Sequence, residues 1–210
     1  MAKTEPEPVR DAQTDHLLTP ENAVLALIDF QPEHFGTVAS AAREDIDLNV
    51  VALCKIATAY AIPVVVSTVA VGMGVNQGTV AHILKELPGV VEIDRTGVNA
   101  WEDPDFRAAI EGSKRRKVVI AGLWSEVCLA LPTLDMLAEG YDVYPVVDAV
   151  GGISPLAHES ALERMRAGGA LPVTALAFGC EIMRNWARGD ADHMRGVMDW
   201  YFRERERLRA

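Results

Sequence analysis

The sequence predicts one α/β domain: a three-layer α/β/α sandwich around a six-stranded, mostly parallel sheet. Two observations lead there. Short runs rich in Val and Ile alternate with stretches of helical spacing. The runs are apolar at successive positions, so each strand is buried on both faces, as in a parallel sheet covered by helices on both sides. The chain has 210 residues, 50% of them hydrophobic, which is enough for one sizeable core.

The elements follow in order. Residues 1–20 are polar and proline-bearing and read as an N-terminal arm outside the core. Residues 21–190 form the domain, and 191–210 a C-terminal helix that packs on the domain or on a neighbouring subunit. Ala23 to Asp29 is a buried strand ending in an acid. Asp45 to Tyr60 is a helix with Ile46, Val50, Leu53 and Ala57 on one side. Ile62 to Thr68 is the second strand, with Pro63 near its start, where a missing N–H is tolerated. A short helix, His82 to Leu87, closes at Pro88-Gly89, and Val90 to Asp94 is the third strand. Pro104 to Lys114 is a helix with Pro in its first turn. Lys117 to Ala121 is the fourth strand. Its helix runs from Glu126 to Glu139 and ends at Gly140. Asp142 to Val147 is the fifth strand, Pro155 to Ala167 a helix, and Pro172 to Ala177 the sixth strand. Met194, Val197, Met198 and Tyr201 then form an apolar stripe at helical spacing.

Composition narrows the function. The net charge of −10 argues against nucleic acid and anionic membrane as partners. Three cysteines, Cys54, Cys128 and Cys180, are widely spaced and form no C-x-x-C pair, which disfavours disulfides and zinc clusters and suggests a reducing, cytoplasmic location. The N-terminus has no apolar signal region, and no apolar run is long enough to span a membrane. Gly72 to Gly78 reads as a loop over a pocket; it lacks the third glycine of a dinucleotide fingerprint, and no Walker A sequence is present.

Ligands of open parallel sheets bind beyond the carboxyl ends of the strands. Three residues sit there: Asp29 after the first strand, Arg95 after the third, Cys128 after the fourth. With Ser125 as helix N-cap, Cys128 falls in the first helical turn, where unpaired backbone N–H groups favour a thiolate. Asp29 could take the thiol proton and Arg95 could hold Asp29 in place. Backbone N–H groups of Trp124 and Cys128 could bind an oxyanion. Gln31, Phe35, Asn99, Trp101 and Trp124 are candidate substrate-binding residues around a small pocket. His158 reads as structural.

Four segments carry a resemblance: Leu25-Ala-Leu-Ile-Asp29-Phe-Gln31, Arg95-Thr-Gly-Val-Asn-Ala-Trp101, Ala121-Gly-Leu-Trp-Ser-Glu-Val-Cys128, and Gly140-Tyr-Asp-Val-Tyr-Pro-Val-Val-Asp148-Ala. In this order they resemble the isochorismatase-like cysteine hydrolases, and within them the YcaC-like subgroup, from about Leu18 to Trp186. The resemblance implies a Rossmann-like fold and an Asp–Lys–Cys triad, with Asp29 as the acid, Cys128 as the nucleophile and Arg95 at the lysine position. It implies a non-proline cis peptide at Leu123–Trp124, and a homo-oligomer. The related nicotinamidases bind a metal through Asp and His residues after the second strand; Ser67 to Asn76 has neither, so no metal and no cofactor is expected. The expected function is a cofactor-independent cysteine hydrolase of a small amide or related acyl substrate, working through a thioester. The alternative is a ligand-binding or assembly protein that kept the fold, because arginine does not readily shuttle a proton. A peroxide-sensing Cys128 is a third reading.

Overall fold

The computed structural model describes residues 10–210; the first part of the expected arm lies outside them. Five strands form one sheet: β1 (Ala23–Ile28), β2 (Val64–Val69), β3 (Glu92–Arg95), β4 (Lys117–Gly122) and β5 (Asp142–Pro145). Their order is β3-β2-β1-β4-β5, and every pairing is parallel. β1 and β4 are buried at every position, as strands packed on both faces must be. Eight α-helices cover or flank the sheet: α1 (Pro32–Phe35), α2 (Arg43–Ala59), α3 (Ala81–Leu84), α4 (Pro104–Gly112), α5 (Ala130–Ala138), α6 (Pro155–Ala167), α7 (Ala175–Met183) and α8 (Ala191–Arg209). A 3₁₀ turn spans Ala100–Glu102, and a wide π-helical turn spans Ser125–Leu129.

Among the described residues the sheet has five strands, not six. The expected sixth, Pro172 to Ala177, makes a single parallel bridge, Val146 to Val173. Pro172 has no N–H to give a ladder, and the Thr174 side chain accepts from Ala177 N–H and starts α7. The N-terminal residues also differ from the expected arm over their described part. Leu18 is fully buried. Lys117 Nζ, at the start of β4, donates to the carbonyls of Asp15 and Leu17, and Arg184 pairs with Asp15 at 2.7 Å. Residues 10–20 therefore close the amino-terminal edge of the sheet.

α8 turns Ala191, Met194, Val197 and Tyr201 inward; Met198 is half-buried. The Tyr201 hydroxyl donates to Asn49 Oδ1 of α2 at 2.9 Å. The charged end from Arg203 to Arg209 is mostly exposed.

One close approach shapes the carboxyl ends of the central strands. A Cβ on Gly122 would lie 3.0 Å from the Ile28 carbonyl oxygen and 3.1 Å from its Cβ. Only glycine lets β1 and β4 meet this closely where both deliver residues to the site.

Candidate active site

The strand order reverses between β1 and β4, and such a switch point opens a crevice beyond the carboxyl ends. Asp29 leaves β1 there with a φ of +59°, in the left-handed region that a non-glycine residue occupies only when its surroundings impose it. Its N–H donates to the Ser67 carbonyl at 2.9 Å, which ties the turn to β2.

Arg95 is the last residue of β3 rather than the residue after it. Its side chain crosses the end of β2 to reach Asp29. Nη1 donates to Asp29 Oδ1 at 2.7 Å and Nη2 to Asp29 Oδ2 at 2.6 Å, a two-pronged contact. Nη1 also meets Ser67 Oγ and the Thr68 carbonyl, and Nη2 the Val98 carbonyl. Both charged side chains are fully buried. Burial opposes the Arg95 charge, but its bonds to Asp29 outweigh burial and raise the guanidinium pKa further.

Cys128 lies in the π-helical turn after β4 and is 5% exposed. The turn is one residue wider than an α-turn: Leu129 N–H reaches the Trp124 carbonyl, and Ala130 N–H reaches the Ser125 carbonyl. Trp124, not Ser125, stands at the cap position. The Ser125 hydroxyl instead pairs with His158 Nδ1 at 2.8 Å, which gives His158 a structural bond. The peptide between Leu123 and Trp124 is cis.

The expectation of a low thiol pKa is reversed. Burial first, then the charge and hydrogen bond of Asp29, push the Cys128 pKa well above its ordinary value; Arg95 and the Trp124 backbone N–H pull it down by less. The helix-start field is real but loses to desolvation and a neighbouring carboxylate. The resting thiol therefore favours its protonated form, with the Asp29 carboxylate beside it. The Trp124 N–H, pointed at the sulfur, is a ready donor for negative charge that develops there.

His34 completes the cluster. Nothing in the sequence reading singled it out; its signal was a histidine one turn beyond a strand-end acid, with Pro32 starting the helix. Donor atoms of Asp29, His34 and Cys128 lie within 4.8 Å of one another. A carboxylate, an imidazole and a thiolate are donor types that zinc accepts. Arg95, however, holds both Asp29 oxygens and sets a positive charge where a cation would need the carboxylate.

The remaining candidates divide. Trp124 faces the site edge: its ring lies 5.0 Å from that of His34, and Nε1 donates to Thr37 Oγ1. Gln31 is buried and serves the backbone, donating to the Val69 and Gln77 carbonyls and accepting from Val69 N–H. It pins both ends of the loop after β2, while Asp94 accepts from Val71 and Gly72 N–H. Phe35 packs on Phe30 beneath the Arg43 guanidinium. Asn99 and Trp101 turn toward α5, donating to Asp135 and to Glu139 just after it.

Removing Arg95 leaves the Asp29 carboxylate buried and unpaired. Arg95→Met is expected to cost about 3–5 kcal/mol in urea unfolding at pH 7. A loss below about 1 kcal/mol would mean that the pair carries little of the local structure.

A family model, the isochorismatase domain, matches residues 23–176. The chain is 31% identical over 170 residues to the probable hydrolase YcaC of Escherichia coli (strain K12), covering 80% of this chain and 81% of that protein. The solved structure of the YcaC gene product from Escherichia coli, an octameric hydrolase of unknown specificity, superposes with a TM-score of 0.85 at 30% identity, over 92% of this chain and 95% of that one. YcaC from Pseudomonas aeruginosa, solved with hexane-2,5-diol and covalent acrylamide, gives a TM-score of 0.81 at 30% identity, over 94% of this chain and 99% of that one. The chain belongs to the isochorismatase family of hydrolases and is YcaC-like.

Proposed function

We propose that this protein hydrolyses a small amide or related acyl compound through a thioester on Cys128. The observation that carries the reading is the Cys128 sulfur within 4.8 Å of a carboxylate whose two oxygens are gripped by Arg95. As Cys128 sulfur bonds to the carbonyl carbon, its proton passes to Asp29. The oxyanion is held by backbone N–H groups of Trp124 and Cys128. When the C–N bond breaks, the amine leaves with the proton from Asp29. Arg95 keeps Asp29 aligned and offsets negative charge, but donates no proton. No metal or cofactor is needed, because Arg95 supplies the positive charge beside the carboxylate. The Trp124 indole forms one wall of a small site. Covalent acrylamide on the Pseudomonas relative supports capture of small electrophiles in this family.

A screen of small amides, carbamates and ureas tests the reading. Turnover is expected to fall at least ~100-fold in Cys128→Ala and in Asp29→Asn, the scale of losing a nucleophile or its base. Turnover that survives Cys128→Ala would sink it. A bound amide with no product would favour the ligand-binding alternative.

The same reading includes self-association. The Escherichia coli relative is octameric, and this chain exposes Val91 (80%), Leu156 (78%) and Val98 (56%). Light scattering should return a homo-oligomer at micromolar concentration; a monomer would contradict it.

A further inference from the structure

We propose that His34 is the proton carrier of the second half-reaction, in which water releases the acyl group from Cys128. The inference rests on the acyl-thioester reading of Cys128 and adds a residue to it.

Three observations converge on His34. Its ring is buried, and Nδ1 has no hydrogen-bond partner. Buried polar atoms are almost always satisfied, and an exception at a reactive centre points to a partner met during turnover. Its donor atom lies within 4.8 Å of both the Asp29 carboxylate and the Cys128 sulfur, so one water-sized group can bond to two of them at once. Finally, the other polar groups are committed. Arg95 binds both Asp29 oxygens, and arginine releases no proton.

Burial lowers the His34 pKa; Asp29 opposes this and Arg95 adds to it. The imidazole is therefore neutral near pH 7 and able to accept. The Trp124 ring packs beside it, with ring centroids 5.0 Å apart.

The step balances without an oxidant or a metal. The water oxygen bonds to the thioester carbon while its proton moves to His34. The tetrahedral intermediate then collapses, the C–S bond breaks, and the sulfur takes the proton from the imidazolium. The acid leaves, and the neutral thiol and neutral histidine are restored.

Stopped-flow hydrolysis of p-nitrophenyl acetate, with intact-mass detection of the acetyl-enzyme, separates the two half-reactions. In the wild type a nitrophenolate burst reports acylation of Cys128, and decay of the acetyl adduct reports deacylation. In His34→Gln the burst should persist while adduct decay slows ~100-fold, the usual size of a general-base contribution. In His34→Ala, added imidazole should restore decay, a rescue that lost packing would not show. If His34→Gln deacylates at the wild-type rate, the His34 role is wrong while the thioester reading stands. If the wild type gives neither burst nor adduct, the thioester reading fails and the role of His34 fails with it.

Discussion

The paired hydrogen bonds between Arg95 and Asp29 join the carboxyl ends of three neighbouring strands. Asp29 leaves β1, Arg95 ends β3, and the guanidinium passes over β2, touching Ser67 and Thr68 on the way. Each ion alone would be costly to bury; together, with the remaining N–H groups on carbonyls, they satisfy each other. Arginine suits this span better than lysine, because its fork meets both carboxylate oxygens and still reaches the backbone. The left-handed backbone of Asp29 is held by the same contacts.

That pair sits beside the thiol, whose pKa is raised first by burial and then by the neighbouring Asp29. A buried, neutral cysteine is also protected from adventitious oxidation. Cys54, within α2, is pushed up to about 12 by burial and then by the charge of Glu86, and packs as a small apolar residue.

Much of this was legible in the residues. Asp29 and Cys128 stand directly beyond apolar strands, and the crevice of a parallel sheet lies there, so their meeting followed from the pattern of elements. Arg95 was found for the same reason, although it belongs to β3 itself. Four features were hidden. The Ser125 cap failed because a hydroxyl cannot announce its partner: His158 lies 33 residues on and claims it. The sixth strand failed because Pro172 and Thr174 outweighed the apolar content of Val173. The thiol pKa was misjudged because helix position is local, whereas desolvation and the approach of Asp29 depend on the whole fold. His34 needed the short helix at Pro32 to swing it back over the strand ends.

The central claim is that Cys128 rests as a neutral thiol hydrogen-bonded to Asp29, which Arg95 holds in place. Infrared difference spectroscopy of the wild type against Cys128→Ser at pH 7 tests it most directly. The account predicts an S–H stretching band lowered in frequency by the bond to the carboxylate, which moves when Asp29 is changed to Asn. Absence of an S–H band assignable to Cys128, as a resting thiolate would give, contradicts it.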